Sequence, residues 1–431
     1  MYSTNFIVSS FFLLIVIMWE YLYIIIDISP NVLLIIGILI NMHMIKKYFN
    51  HKPFLIINIF QFFYLLYLIP YYFFNIYISD YFEYQGKEYI NDVLLIHVLF
   101  LALLNFFIKS SIYKPISKSF IKIKSNVLFY FISSIIFLSS IFLVHGDNIF
   151  LSSNTYVTYI NNLRNNSGMV EYLLILFAIL YIYTNNKVQH YIFNIIFLII
   201  IYKMFILGFR VQLLMYIILY YLLYIDARIK SIYVLYISII GFSLMSIIGI
   251  LKDAGKINLM KIFFNINDGF ILSHHTGVIY SSSVYIGLLK DNIVDTFTVF
   301  FGGIGFLLNM IIPGRFIKEY IPEGQIHSFA KELANYGGGG LPEVIIYYYY
   351  SFIGVIVFAY LFSRVINYSN ISKTNSNVKS LVVLIILVTF PRWLSYDPAN
   401  FFFRLPLYAL ILYMLTKIIP RRNNVKKNIN N

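Results

Sequence analysis

Apolar runs of membrane-spanning length recur along the whole chain and are separated by short polar stretches. An α-helix needs about 17–25 mostly apolar residues to cross the hydrocarbon core of a bilayer. The pattern therefore predicts an all-α polytopic membrane protein in which residues 1–431 form a single integral-membrane domain. About twelve transmembrane helices are predicted, near residues 6–26, 31–45, 54–78, 92–108, 127–145, 169–184, 191–207, 211–225, 231–251, 342–362, 380–395 and 401–418.

The basic residues decide how residues 252–341 are interpreted. Within this stretch, residues 297–312 are apolar but contain three glycines and end before Pro313. If the N-terminus is cytoplasmic and residues 297–312 do not cross, the inner loops and the tail carry 19 of the 32 Lys and Arg residues. Such enrichment of cations inside is the usual orientation signal. We therefore expect both termini in the cytoplasm, a large extracytoplasmic loop over 252–341, and a re-entrant or interfacial segment over 297–312.

Composition excludes several classes of protein. With 60% hydrophobic and 12% charged residues, the chain is not an ordinary soluble domain. The net charge of +14 does not indicate nucleic-acid binding, because most cations lie in short loops where they orient spans. The absence of cysteine excludes disulfides and thiol nucleophiles. Glycine-rich nucleotide motifs, HExxH and GxSxG are also absent. No cofactor is predicted.

Four arginines lie near the predicted outer membrane boundary: Arg210, Arg315, Arg392 and Arg404. A guanidinium at this depth is costly and normally faces a polar interior or a partner. Each one alone is explained by snorkelling to the interface or by pairing with a carboxylate such as Asp397. Four at one level favour an anionic ligand. Because arginine binds phosphate oxygens in a bidentate manner, a lipid pyrophosphate is an apt ligand.

Two further residues are candidates for proton transfer. Glu343 follows a Gly-rich stretch, Gly337–Gly340, at the start of a predicted span. Its carboxylate is either stabilised by the helix N-terminus or acts as a general base towards a sugar hydroxyl. The glycines form either a flexible loop or an anion-binding nest of amides. His327 is either a solvated loop histidine or a proton-transfer group, since imidazole titrates near neutral pH.

The remaining histidines give no metal site. His274 and His275 are adjacent and lie close in sequence to Asp268, whereas a metal site needs three or four converging ligands. No metal is therefore predicted. His97 and other histidines near the ends of predicted spans are expected at the membrane interface.

Three stretches resemble the bacterial oligosaccharide repeat-unit polymerases, the Wzy-type O-antigen polymerases. They are GFRVQLLMYIILYYLLY from residue 208, HSFAKELANYGGGGLPEVIIYYYYSFIGVIVFAYLF from residue 327, and PRWLSYDPANFFFRLP from residue 391. The first is similar to an Arg-bearing hairpin of that family, and the last to its C-terminal Arg-bearing pair of spans. The second resembles its Gly-rich loop, carboxylate and aromatic span. The resemblance covers roughly the last half of the chain.

The resemblance implies a GT-C-like glycosyltransferase bundle with a large periplasmic loop, in the bacterial inner membrane. Its activity would be to polymerise undecaprenyl-pyrophosphate-linked oligosaccharide repeat units into O-antigen or a related surface polysaccharide at the outer leaflet. The partners implied are a lipid-linked donor, a lipid-linked acceptor and a chain-length regulator protein. The residues implied are Arg210, Arg315, Arg392 and Arg404 for the pyrophosphates, with Glu343 and His327 as catalytic groups.

Two other functions remain open from the sequence. The related O-antigen ligases use a histidine in their outer loop, to which His327 would correspond, and they transfer glycan from the same lipid to another acceptor. A flippase or similar transporter of lipid-linked oligosaccharide would carry charges along a path through the bundle. In this chain the charges gather instead at one predicted face, which favours the polymerase.

Overall fold

The computed structural model describes residues 2–19, 29–74, 87–109, 113–143, 146–149, 151–152, 155–253, 274–334, 339–370 and 376–428. All regular elements in these residues are helical. The α-helices are α1 (Tyr2–Ile17), α2 (Pro30–Lys47), α3 (Lys52–Leu66), α4 (Ile69–Phe74), α5 (Ile90–Phe107), α6 (Asn126–Phe142), α7 (Thr155–Tyr183), α8 (Lys187–Ile206), α9 (Arg210–Tyr220), α10 (Ser231–Asp253), α11 (His274–Lys290), α12 (Thr296–Asn309), α13 (Gly314–Tyr320), α14 (Ile326–Leu333), α15 (Pro342–Asn370), α16 (Asn377–Val388), α17 (Phe390–Trp393) and α18 (Leu405–Asn428). Short 3-10 turns lie at Lys87–Tyr89, Ile116–Ser119 and Pro322–Gly324, and π-helical turns at Tyr221–Ile225 and Ala399–Arg404.

Within the described residues, six helices are long and apolar enough to cross a membrane. They are Pro30–Lys47, Lys52–Phe74, Ile90–Phe107, Lys187–Ile206, Pro342–Tyr368 and Ala399–Ile418. Shorter apolar helices of 10–17 residues cover Phe6–Ile17, Asn126–Phe142, Gly168–Tyr183, Arg210–Ile225, Ser231–Ser243, Thr296–Asn309 and Asn377–Val388. Each of the twelve predicted spans overlaps one of these helices. The all-helical fold is confirmed, and the number of crossings stays a prediction.

The chain divides into two compact units whose segments alternate along the sequence, and the single integral-membrane domain stays a prediction. Unit 1 comprises Met1–Tyr113, Ile229–Ile371 and Arg392–Asn400. Unit 2 comprises Lys114–Arg228, Ser372–Pro391 and Phe401–Asn431.

Helix α5 is the centre of unit 1 and packs against α1, α2, α11 and α15. In its apolar window 72% of the residues are buried inside the protein, against 33% in α2, so α5 is shielded by its neighbours on most sides. Glycine allows the closest approach: a Cβ atom on Gly37 of α2 would lie 2.7 Å from a methyl group of Val98 and 3.3 Å from one of Leu65. Small residues at such crossings allow helix backbones to approach closely.

The apolar segment over 297–312, expected to be re-entrant or interfacial, is largely the regular helix α12. Asp295 caps it by accepting a hydrogen bond from the amide of Thr298 at 2.7 Å. Its glycines do not interrupt the helix. They allow close contacts instead, since a Cβ atom on Gly305 would lie 2.8 Å from the Cα atom of Gly324. Tyr350 of α15 donates to the carbonyl of Gly303 at 2.5 Å. Whether α12 enters a membrane stays a prediction.

Helix α11 belongs to the interior of unit 1, although the sequence placed its residues in an outer loop. It packs against α5 and α15, and Ser281, Ser282 and Ser283 are all fully buried. The hydroxyls form hydrogen bonds within their own helix, since Ser281 and Ser282 each donate to the carbonyl four residues earlier. The serines reduced the apolar signal of this helix enough to hide it as a core element.

Helix α15 contains a break at Ser351, whose backbone has φ 54° and ψ −159°. This region of backbone conformation is adopted almost only by glycine. Before the break, residues 342–350 are mostly buried, and after it the exposed apolar residues Ile353, Ile356 and Val357 alternate with buried ones. The break therefore separates a buried first part of α15 from a second part with an exposed apolar face.

Unit 2 is built on α7, which packs against α6, α16 and α18. An aromatic cluster joins α7, α8 and α9, in which the ring centroids of Phe177 and Phe197 are 5.3 Å apart and those of Phe177 and Tyr216 are 5.8 Å apart. Such edge-to-face contacts add to the stability gained by burying the rings. A bond of 2.7 Å between the hydroxyls of Ser119 and Ser380 fixes the start of α16.

Candidate functional site

The candidate site of unit 1 is organised by the connecting segment over residues 392–398. Trp393 is fully buried, and its ring meets that of Phe362 at 5.0 Å in an edge-to-face contact. Tyr64 of α3 donates to the carbonyl of Leu394 at 3.1 Å and lies 2.9 Å from the hydroxyl of Ser395. These contacts anchor the segment at its middle, so that the neighbouring side chains are presented from a fixed backbone.

The end of the Gly-rich stretch is held against this segment. The amide of Gly340 donates to the carbonyl of Ser395 at 3.0 Å, and the amide of Leu341 donates to the hydroxyl of Ser282 at 2.7 Å. Gly339 has φ +85°, and a Cβ atom there would lie 2.5 Å from the Ser395 carbonyl oxygen. The amide of Gly340 is therefore engaged with protein, which disfavours an anion-binding nest at this position. Gly337 and Gly338 lie outside the described residues.

His327 of α14 links three parts of unit 1 through its two ring nitrogens. Its Nε2 atom bonds to the carbonyl oxygen of Tyr396, and its Nδ1 atom lies 2.8 Å from the hydroxyl of Tyr285. That hydroxyl also donates to the carbonyl of Gly339 at 2.6 Å. Since a carbonyl only accepts, Nε2 carries a hydrogen, and the single hydroxyl hydrogen of Tyr285 serves two acceptors.

Burial lowers the pKa of the His327 imidazole, while the nearby carboxylate of Asp397 and the bond to Tyr396 act in the opposite direction. The neutral ring is therefore favoured. With both nitrogens engaged by protein groups, the observed geometry assigns His327 a positioning role, and its catalytic role stays a prediction.

Glu343 forms a buried pair with His97 of α5. The distance from His97 Nδ1 to Glu343 Oε1 is 2.6 Å, and the exposed fractions of the two side chains are only 3% and 1%. The ring of Tyr64 meets the His97 ring edge-on, with centroids 6.0 Å apart. Among the described residues, neither Glu343 Oε2 nor His97 Nε2 has a hydrogen-bond partner. Glu343 therefore has one oxygen held by His97 and one buried oxygen that no described residue binds.

The placement of His97 at the membrane interface stays a prediction, and the structure shows that the residue is buried among helices. His97 lies in the interior of α5, two turns after its start, and is 2% exposed. The physical reason is the carboxylate partner, because an ionisable group inside an apolar bundle is retained when it pairs with another. A histidine within an apolar run, and a glutamate at the start of another, were the sequence signal for this pair.

Arg392 belongs to the same site of unit 1. Its guanidinium carbon lies 5.0 Å from the centre of the Tyr396 ring, within the range of a cation–π contact. Tyr396 therefore contacts both residues, Arg392 through its ring and His327 through its carbonyl oxygen. Asp397 accepts a hydrogen bond from the Asn400 amide at 3.1 Å. Arg392, His327 and Glu343 are thus the three predicted site residues that the structure gathers around one segment.

The other predicted arginines belong to other helices and turns. Arg210 begins α9 in unit 2 and is half-buried, directly after Gly208 and Phe209. Arg404 ends the π-helical turn of unit 2, is 8% exposed, and lies close enough to Tyr172 to act on its hydroxyl electrostatically. Arg315 begins the first turn of α13 in unit 1, and its side chain is outside the described residues. The convergence of all four at one depth stays a prediction.

Among the described residues, no three His, Asp or Glu side chains cluster as a metal site would require. His274 and His275 begin α11, and Asp268 lies outside the described residues. No protein-family model, curated protein or solved structure matches this chain.

Proposed function

We propose that this protein is a membrane glycosyltransferase that polymerises undecaprenyl-pyrophosphate-linked oligosaccharide repeat units into O-antigen or a related surface polysaccharide. The observation that carries the proposal is the assembly in unit 1, where Arg392, His327, the end of the Gly-rich stretch and Glu343 surround the segment 392–398. It provides a fixed cation and a buried carboxylate, the two groups that glycosyl transfer from a pyrophosphate donor requires.

The chemistry follows from those two groups. The acceptor hydroxyl oxygen forms a bond to the anomeric carbon while the bond from that carbon to the pyrophosphate oxygen breaks, and the electron pair leaves with the pyrophosphate. Arg392 stabilises the charge that develops on the leaving group. The free Oε2 atom of Glu343 receives the hydroxyl proton, while His97 holds Oε1 and fixes the orientation of the carboxylate. Arg210, Arg315 and Arg404 are proposed to bind the two lipid pyrophosphates.

The proposed setting is the bacterial inner membrane, with twelve crossings, both termini in the cytoplasm and the reaction at the outer leaflet. The lipid-linked donor supplies its own driving force through the pyrophosphate leaving group. A chain-length regulator is the proposed protein partner. The apolar helices support a membrane location, and the sequence resemblance supports the rest.

One observation favours a second candidate, a transporter of lipid-linked oligosaccharide. The pair of His97 and Glu343 lies inside the bundle of unit 1, and ionisable pairs at such positions are typical of proton-coupled transporters. The polymerase is preferred because Arg392, a cation next to the Gly-rich stretch, is proposed to bind phosphate.

Deletion of the gene in its host separates the candidates. A polymerase deletion leaves single repeat units on the surface, a ligase deletion leaves unattached polymer, and a transporter deletion leaves no glycan outside. Complementation with Arg392→Ala should give only single repeat units, because loss of one such contact costs about 2.7–4 kcal/mol in the barrier. Arg392→Lys should also be impaired, since a point charge does not replace the planar fork.

Arg364→Ala is the matched control, because Arg364 is an exposed arginine of unit 1 whose guanidinium carbon lies 6.0 Å from the Tyr360 ring centre. Long chains with Arg392→Ala, at a normal level of protein in the membrane, would remove Arg392 from the active site.

A further inference from the structure

The hydrogen bond between His97 and Glu343 requires one proton, and the pair can bind a second one. The 2.6 Å contact between Nδ1 and Oε1 needs one bridging proton, since two bare lone pairs would repel. With that proton alone the pair is a neutral imidazole and a carboxylate, with a net charge of −1. A second proton on Nε2 or on the carboxyl group makes the pair neutral overall.

Both atoms that can receive this second proton lack a hydrogen bond within the part of the chain that the structure describes. They are Glu343 Oε2 and His97 Nε2, and both residues are almost completely buried. An unpaired net charge is costly to bury, and a buried pair lowers this cost when it becomes neutral. The geometry therefore describes a proton-binding site with two protonation states, each retaining the bridging hydrogen bond.

Buried amides lie on α2, α3 and α5, the helices next to this pair, and this set of Asn41, Asn58, Gln61 and Asn105 is named the amide column. Helices α2 and α3 are antiparallel, since residues 48–51 join them, and they meet α5 where Gly37 contacts Val98 and Leu65. Asn41 follows Gly37 by four residues and Gln61 precedes Leu65 by four, so each lies one helical turn from this contact on the same side of its helix.

The amide column continues towards the end of α2 and α5. Asn58 lies three residues before Gln61, and Asn105 accepts hydrogen bonds from Lys47 through its carbonyl at 3.0 Å and its side-chain oxygen at 3.3 Å. Asn41, Asn58 and Gln61 are at most 1% exposed, and no described residue forms a hydrogen bond with either side-chain polar atom of each. Buried amides of this kind are normally satisfied by ordered water.

We propose that the pair of His97 and Glu343 is a proton-binding site, and that water held by Asn41, Asn58 and Gln61 exchanges its proton. The ligand is a proton delivered by water, whichever lipid-linked substrate the protein acts on. The proposal is independent of glycosyl transfer. The ionisable side chains on the helices that pack around the pair include His43, Lys46 and Lys47 of α2, Lys52 and Tyr64 of α3, Asp92 of α5, Tyr280, Tyr285 and Lys290 of α11, and Tyr347, Tyr348, Tyr349, Tyr350, Tyr360, Arg364 and Tyr368 of α15.

The test is infrared difference spectroscopy of the purified protein in lipid bilayers, without any substrate. Spectra are compared between about pH 5 and about pH 8, the range in which imidazole groups in general are sampled in both protonation states. We expect carboxyl and imidazole bands that change with pH in the native protein and are lost in both His97→Gln and Glu343→Gln. Glu332→Gln, which removes an exposed carboxylate of α14, should retain them. Glu343→Asp should shift the bands, because it keeps the carboxyl group and shortens its reach.

Water access is measured by transferring the same samples to D2O. The pH-dependent bands of the native protein should shift within the mixing time, and Gln61→Leu should lose this rapid shift. Gln212→Leu is the matched control, since Gln212 is a buried amide of unit 2 whose side-chain atoms also lack partners. If the native protein has no pH-dependent band that depends on both members of the pair, the proton site is refuted. Equal exchange in Gln61→Leu and Gln212→Leu would refute the role of the amide column.

Discussion

Replacing Tyr285 by phenylalanine tests how the candidate site is held together. The Tyr285 hydroxyl is the common partner of Gly339 and His327, which belong to two separate segments of unit 1. Tyr285 is fully buried, so water does not easily replace the lost hydroxyl. Removing it leaves the carbonyl of Gly339 and the Nδ1 atom of His327 without this partner.

The expected loss of stability follows from those two groups. A buried polar group that loses its partner costs about 1–3 kcal/mol. Two such groups place the loss of stability in Tyr285→Phe at about 2–6 kcal/mol. Tyr348→Phe is the matched control, because Tyr348 is also buried in unit 1 and its hydroxyl has no hydrogen-bond partner in the protein. Its removal should leave stability unchanged or raise it slightly, since a desolvated hydroxyl is lost.

The assay is unfolding of the purified protein in mixed detergent micelles by increasing SDS, followed by tryptophan fluorescence. The chain contains two tryptophans, and Trp393 lies fully buried in the segment that the hydroxyl network holds. We expect an unfolding midpoint at lower SDS for Tyr285→Phe and an unchanged midpoint for Tyr348→Phe. Equal midpoints for the two variants would refute the argument that the Tyr285 hydroxyl links these segments.

Three further predictions use the same unfolding assay. Ser351→Gly should stabilise the protein by about 1 kcal/mol. Glycine relieves a backbone conformation that costs about 1–3 kcal/mol, although it also adds entropy to the unfolded chain. A lower unfolding midpoint would show that Ser351 is unstrained. Gly339→Ala should destabilise it, since φ is +85° and the new methyl group would lie 2.5 Å from the Ser395 carbonyl oxygen; an unchanged midpoint would contradict this close approach. Because burial lowers the pKa of His327, the stability it contributes is present above the ordinary histidine pKa and is lost as pH falls through the lowered value. Unfolding midpoints measured against pH should therefore fall on acidification, less steeply for His327→Gln, and equal slopes would exclude His327 as the titrating group.

The helical architecture could be predicted because apolar runs report burial and membrane contact directly. The apolar pattern did not identify α11 as a core helix. Three of its buried positions are serines, whose hydroxyls donate to carbonyls of the same helix. The division into two units was not predicted either. It depends on contacts between segments far apart in the sequence, such as the bond from Tyr64 to Leu394.

The candidate site was predicted in part. Glu343, His327 and Arg392 were identified as titratable or cationic groups in an apolar chain, and the structure brings these three together in unit 1. His97 was missed because its role depends on a partner 246 residues away, which no local pattern contains. The roles of Tyr64 and Tyr285 were hidden for another reason: in a chain with 40 tyrosines, composition does not distinguish a hydrogen-bonding hydroxyl from a packing ring.

The most direct measurement is polymer synthesis by the purified protein in liposomes, with a purified lipid-linked repeat unit as the only substrate and no nucleotide. The account predicts a ladder of polymerised glycan with the native protein and with Arg364→Ala, and none with Arg392→Ala or Glu343→Gln. Folding of each variant is checked by its unfolding midpoint. A native protein that binds the lipid-linked unit and moves it across the bilayer without extending it would contradict the account, as would a full ladder with Glu343→Gln.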